Sequence, residues 1–203
     1  MREVAVVGVG ITKFGRFDDS SVELFSQAGM DAIVESGLEP KDIQALFVGN
    51  CYGDLVESQA SMAVHCASDL GMAGIPATRY DGACASASVA IREAFLWVAS
   101  GVHDIVLAGG TERSASMGTA YATRVFQFAS DCRYEIFTGL TFPGIFAQMA
   151  HLYAVKYNIP LKTLKRQMQM VAIKSHNFAR LNNKAQLQGS IRDFMDKRVA
   201  KTK

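Results

Sequence analysis

The chain has 203 residues, of which 49% are hydrophobic and 20% charged. Its 21 basic and 19 acidic side chains leave a net charge of +2, which excludes a strongly basic nucleic-acid binder or an acidic tail as the main theme. A chain of this size forms one large or two small globular domains, buries roughly 70% of its unfolded surface and needs no disulfide or metal staple.

Residues 3–9 (Glu-Val-Ala-Val-Val-Gly-Val) predict a buried strand, short, β-branched and ended by glycine. A loop with Gly10, Lys13, Phe14 and Gly15 follows. Ser20 or Ser21 then caps a helix whose apolar face carries Val22, Phe25, Gly29, Ala32 and Ile33, and Gly37 ends it. Pro40 and Asp42 turn the chain into a second strand over 44–49. A helix over about 58–70 carries Met62, Ala63, Cys66, Ala67 and Leu70, and Pro76 opens a third strand over 77–81. A further helix spans 85–100 and a fourth strand 104–109. This βαβαβαβ order predicts an α/β layered domain with a partly parallel sheet. Residues 111–142 lack clear periodicity. Helices resume over 143–157 and 161–181, and the mixed, charged stretch 190–203 is expected to be poorly ordered.

Cys51, Cys66, Cys84 and Cys132 show neither zinc-site nor redox-pair spacing. Met1-Arg2-Glu3 leads into no leader pattern, and no run of about 18 apolar residues exists. The expectation is a soluble cytoplasmic protein with reduced thiols, no metal, and no nucleic-acid or membrane partner.

The helix over 85–100 is apolar in every direction: Ala85, Ala87, Val89, Ala90, Ile91, Ala94, Phe95, Leu96, Trp97, Val98 and Ala99. Such a helix needs cover on all sides, and one sheet covers only one. Cys84 stands just before it, in Tyr80-Asp81-Gly82-Ala83-Cys84-Ala85-Ser86-Ala87-Ser88. Unpaired N–H groups at a helix start carry positive partial charge, stabilise a thiolate and can hold an oxyanion. Its small neighbours leave room for an acyl group. The other reading is an inert buried thiol, which is the expectation for Cys51, Cys66 and Cys132.

Ala83-Cys84-Ala85-Ser86 resembles the nucleophile motif of the thiolases. Gly8-Val9-Gly10-Ile11-Thr12-Lys13-Phe14-Gly15 is similar to the opening of the sterol-carrier-type and archaeal acetyl-CoA acetyltransferase-like members. Val106-Leu107-Ala108-Gly109-Gly110-Thr111-Glu112, Phe142-Pro143-Gly144, Val171-Ala172-Ile173-Lys174-Ser175-His176 and Asn183-Lys184-Ala185-Gln186 resemble later family segments. The resemblance covers about residues 3–188. It implies two related halves packed face to face, a nucleophile helix from each in the middle. It also implies a reaction, in which Cys84 takes an acyl group from acyl-CoA and a second thioester or free CoA resolves the intermediate. The coenzyme A thioester is then a substrate, and no cofactor is covalently bound.

The family chain is about twice this length, and its second half supplies the activating histidine, an acid/base cysteine and most of the enolate oxyanion hole. None of those motifs stands here. Ala87 also replaces the glycine usual after Cys-Ala-Ser, and 190–203 does not look like the family's continuation. The chain therefore reads as an N-terminal half from a truncated, split or frameshifted gene. Its expected parts are an α/β core with the nucleophile helix over 1–110, a helical loop-domain-like region over 111–189, and a divergent tail over 190–203. The expected partners are acyl-CoA and either further copies of the chain or a complementing C-terminal-half chain. Two alternatives remain: a non-catalytic half acting as subunit or scaffold, and a ketoacyl-synthase-like condensing enzyme using a carrier-protein thioester. The opening Gly-Val-Gly-Ile-Thr-Lys-Phe-Gly argues for the thiolase.

Other constellations are weaker. Gly8-Val9-Gly10 hints at a dinucleotide fingerprint, but Lys13 occupies its third glycine position. His65 and His103 read as surface or satisfied residues. His151, Lys174 and His176 are candidates for contacting CoA. Lys156, Lys162, Lys165, Arg166 and Arg180 read as a solvated face, or as attraction for CoA phosphates. Glu112 follows a glycine pair at a strand end and reads as structural or as a dimer contact.

Overall fold

The computed structural model describes residues 1–201, with side chains as far as Asp196. The chain divides into two compact units, Met1–Thr12 with Arg16–Thr119, and Lys13–Gly15 with Ala120–Lys203.

The first unit holds α1 (Ser21–Ser36), β1 (Ala45–Gly49), α2 (Gly53–Val56), α3 (Met62–Asp69), β2 (Ala77–Tyr80), α4 (Ser86–Ser100) and β3 (Val106–Gly110). A reciprocal capping box starts α1: the Ser20 hydroxyl accepts from Glu23 N–H, and the Glu23 carboxylate accepts from Ser20 N–H. The three strands are parallel in the order β2-β1-β3, and Leu46 sits opposite both Ala77 and Leu107.

Every residue of β1 is buried, as a strand covered on both faces must be. Its alternation divides the core. Leu46 and Val48 pack with Phe25 and Ile33 of α1 and with Met62, Cys66 and Leu70. Ala45 and Phe47 pack on the other face with Ala90 and Ala94 of α4 and with Trp97. Each large apolar side chain so buried contributes about 1.5–3 kcal/mol. The result is a helix–sheet–helix sandwich, which makes the fold α/β with a parallel sheet.

The strand expected over 3–9 does not form, so the order is αβαβαβ rather than βαβαβαβ. Among the described residues the sheet holds only β2, β1 and β3, and the segment pairs with neither outer strand. The segment runs outside the sheet instead, with Val6, Val7 and Val9 exposed at 83%, 64% and 65%. Arg2 anchors it through its N–H to the Ala99 carbonyl at 3.0 Å and an ion pair to Asp104 at 2.6 Å. Gly8 and Gly10 let the backbone lie directly on α1. A Cβ there would fall 2.1 Å from the Ala32 oxygen and 1.9 Å from the Ala28 oxygen.

Other boundaries moved less. The helix expected over 58–70 is split: α2 stands alone, and α3 begins at Met62, after Ser58 and Ser61 adopt left-handed backbones. On α4, Ala90 and Ala94 face the sheet, while Ile91, Phe95 and Leu96 remain exposed. The all-round cover expected for that helix is therefore not supplied among the described residues.

The second unit contains most of α5 (Thr119–Gln127), then α6 (Phe142–Lys156), α7 (Leu161–Ala179) and α8 (Ile191–Lys201). Thr141 caps α6 by accepting from Gly144 N–H at 3.2 Å. Helix α7 packs against both α6 and α8. The stretch 190–203, expected to be poorly ordered, instead carries α8. Ser190 and Asp193 cap it reciprocally, at 3.1 and 2.7 Å, while residues 202 and 203 lie outside the described residues. No helix among the described residues is long and apolar enough to cross a membrane.

Candidate active site

Parallel strands point their C-terminal ends to one edge of the sheet, the usual place for a site in an open α/β layer. Cys51 follows β1, Asp81 follows β2 and Glu112 follows β3, so the three loops gather at that edge. Cys84 belongs to the same edge. It is exposed, in a single 3-10 turn over Ala83–Ala85 that leads into α4.

That turn is held tightly. Ala83 has φ +50, a left-handed conformation that costs a residue with a Cβ roughly 1–2 kcal/mol. The neighbours impose it. Asp81 Oδ1 accepts from Ala83 N–H at 2.8 Å. The nearly buried Ser86 hydroxyl accepts from Gly82 N–H at 3.0 Å and donates to the Ala83 carbonyl at 2.7 Å. The turn thus presents Cys84 at the head of α4, whose first turn has no side-chain cap. The Ala85 and Ser86 N–H groups donate back within the turn, to the Gly82 and Ala83 carbonyls.

Ala87, the second residue of α4, packs against the strand ends. A Cβ on Gly49 would lie 2.3 Å from Ala87 N, and one on Gly110 only 2.6 Å from the Ala87 Cβ. Gly49 thus makes room for the α4 backbone, and Gly110 for the Ala87 methyl.

The loop after β1 is clamped from both flanking strands. From β3, the Glu112 carboxylate accepts from Cys51 N–H at 2.8 Å, from Tyr52 N–H at 3.3 Å and from Asn50 Nδ2 at 3.2 Å. From β2, Arg79 donates to the Asn50 carbonyl at 3.1 Å and, through two nitrogens, to Asp54 at 2.7 and 2.9 Å. Arg79 holds the Asp54 carboxyl below its ordinary range. Burial pushes Glu112 above its own, against the pull of the Cys51 and Tyr52 N–H groups. Burial, then the hydrogen bond with Asp81, raises the Cys51 thiol to about 11. The buried Tyr52 phenol is also raised, by burial first, then by Cys51, with Cys84 and Glu112 adding to it. Sequence reasoning singled out neither Tyr52 nor Arg79, and gave Glu112 no link to the Cys84 edge.

The other candidates each have a local setting of their own. His65 is exposed on α3. His103 stacks on Trp97 with ring centroids 5.1 Å apart. In the second unit, His151 Nδ1 hydrogen-bonds the Ala147 carbonyl of its own helix at 2.8 Å. His176 Nδ1 meets the Gly189 carbonyl at 3.2 Å, and Lys174 is exposed on the same helix α7. Cys66 is buried in the core, its thiol pushed up to about 12 by that burial.

Comparison with known proteins agrees with this architecture. The family model described as "Thiolase, N-terminal domain" matches residues 4–198. An acetyl-CoA acetyltransferase of Methanothermobacter thermautotrophicus is 38% identical over 187 residues, covering 92% of this chain and 47% of the relative. Sterol carrier protein 2 of Gallus gallus is 29% identical, over 92% of this chain and 35% of the relative. The solved "Ltp2-ChsH2(DUF35) aldolase" superposes with a TM-score of 0.64 at 23% identity, over 89% of this chain and 44% of that one, a likeness of fold. The chain thus spans about half the length, or less, of the relatives it matches. With a family model running along nearly its whole length and an archaeal relative matching nine-tenths of it, the chain belongs to the thiolase family, in its N-terminal domain.

Proposed function

We propose that this chain is the nucleophile-bearing half of a thiolase-type acyltransferase that forms an acyl-cysteine on Cys84 from a short acyl-CoA. The observation that carries the reading is the exposed Cys84, presented by the elbow that Asp81 and Ser86 hold ahead of an uncapped helix start. In the step envisaged, the Cys84 sulfur adds to the thioester carbonyl carbon. The carbon–sulfur bond to CoA breaks, and the thiol proton ends on the CoA sulfur. Free CoA reverses the step, and a second thioester completes the transfer. Splitting one acyl transfer into two easier steps is what a covalent nucleophile contributes.

Condensation further requires deprotonation beside a thioester and a hole for the enolate oxygen. On this reading the histidine and the acid/base cysteine come from a second half, carried by another chain or by other copies in an assembly. The exposed Ile91, Phe95 and Leu96 face of α4 supports a need for such cover. His151, Lys174 and His176, with the basic residues of α7, are the proposed CoA contacts. On this reading the chain serves lipid metabolism in the cytoplasm, and its four free thiols suit that reducing compartment.

The test is an intact mass spectrum after incubation with acetyl-CoA, with the adduct mapped by digestion. The expected outcome is an acetyl group on Cys84 that free CoA removes and that Cys84→Ala lacks, with no measurable condensation by the chain alone. Absence of the adduct would overturn the nucleophile reading and leave a non-catalytic subunit or scaffold. Robust condensation by the purified chain would overturn the need for a second half.

A further inference from the structure

We propose that a second copy of this chain docks head to tail on the first, the basic face of α7 in one copy against the acidic face of α1 in the other. This inference goes beyond the acyl-transfer reading and does not depend on it.

The net charge of +2 conceals an uneven division. The first unit holds 6 basic and 15 acidic side chains, a balance of −9, and the second holds 15 and 4, a balance of +11. Five of the first unit's cations, Arg2, Lys41, Arg79, Arg92 and Arg113, already pair with its own acids. Over 136–192, which takes in all of α6 and α7, eight Lys and Arg stand with no Asp or Glu. Opposite fields of this size on one molecule draw separate copies together and orient them as they meet.

Each unit gathers its sign on one helix face. On α7, Lys162, Lys165, Arg166, Gln169 and Ile173 recur at the spacing of a single helix face, and all five are exposed. Helix α1 carries no Lys or Arg. Its outer face, Glu23, Gln27, Met30, Asp31 and Val34, keeps the same kind of spacing and is exposed throughout. Both faces mix their charge with apolar side chains: Met30 and Val34 are 37% and 69% exposed on α1, and Ile173 is 48% exposed on α7. Such a mixture suits a protein contact, where charge selects partner and register and apolar burial adds affinity. Repulsion disfavours α7 on α7 and α1 on α1. The surface that complements each face is the opposite one, and both stand open in the single chain. The contact is therefore between unlike patches, a heterologous interface.

The test uses two full-chain variants. Asp31→Lys spoils the acidic face alone, leaving Glu23 to cap α1 and Glu35 to accept from the Val9 N–H. Lys165→Glu with Arg166→Glu spoils the basic face alone. All chains, the reference included, carry Phe95→Glu, so that the exposed face of α4 does not contribute. Light scattering against concentration gives the Kd of association. For the reference it should rise about tenfold between about 50 and 500 mM NaCl, as salt screens the faces. At the lower salt each variant alone should raise it about tenfold. An equal mixture of the two variants should return to within about threefold of the reference, because the intact basic face of one meets the intact acidic face of the other. A mixture no tighter than either variant alone overturns the head-to-tail contact. So does a Kd indifferent to salt, or the mass of one copy at every concentration. The acetyl adduct on Cys84 is read separately on the same chains, so failure here leaves the acyl-transfer reading standing.

Discussion

At the scale of single residues, the four thiols divide by surroundings. Cys84 and Cys132 are exposed, whereas Cys51 and Cys66 are raised to about 11 and about 12. At pH 8 a thiol at about 11 is roughly one part in a thousand thiolate, and the thiolate is the reactive form. Iodoacetamide at pH 8 should therefore label Cys84 and Cys132 first, and Cys51 should react appreciably only as the pH approaches 11. Peptide mass spectrometry across pH 7–11 checks this, and Cys51 labelling at pH 8 as fast as Cys132 would contradict it. The linkage has a definite sign. A folded-state pKa above the unfolded one favours the native state below about 9, and that contribution is lost as the pH rises through 11 to 12. The place of Cys84 between a strand and an apolar helix was legible in the sequence, because small residues ahead of an apolar run leave a local mark. The Glu112 and Arg79 clamp was not. Its hydrogen bonds cross from strand to strand, and only the register of three parallel strands brings residues 50–54, 79 and 112 together.

At the scale of elements, the contact between α4 and the strand ends is the most sensitive. The Ala87 methyl fills the space beside Gly110, so adding a second methyl at residue 110 overfills it. Gly110→Ala should cost about 1–3 kcal/mol, the usual range for overpacking. Pairing it with Ala87→Gly should recover part of that loss, a coupling that urea denaturation of the two single variants and the double variant measures directly. Strictly additive losses would mean the two sites do not share this space. Element reading from sequence succeeded where period and punctuation agreed, as in α1 with its Ser20 cap and in β1 with its buried run. It failed over 3–9 because a short β-branched run shows that a segment can pair, whereas here Gly8 and Gly10 lay the backbone against α1 instead. It also missed α5, although Ala122, Val125 and Phe126 stand at helical spacing and Val125 is fully buried. The surrounding threonines, glycines and aromatics masked three correctly spaced residues.

At the scale of the whole molecule, apolar surface remains uncovered. Ile91, Phe95 and Leu96 on α4 join Val6, Val7 and Val9 of the N-terminal segment among the exposed large side chains. Exposed apolar patches of this kind mark interfaces or association. The purified chain should therefore run above the mass of one copy in light scattering at micromolar concentration, and Phe95→Glu should lower that mass. A monodisperse single copy from the unaltered chain would contradict this. The parallel sheet also orders events in time. Ala45 lies opposite Val106, yet β1 leaves the ribosome long before β3 exists. At roughly 5–20 residues per second, several seconds pass in which the central strand has at most one neighbour. During synthesis the half-built sheet is thus an open template, and the cell must keep it from finding a stranger first.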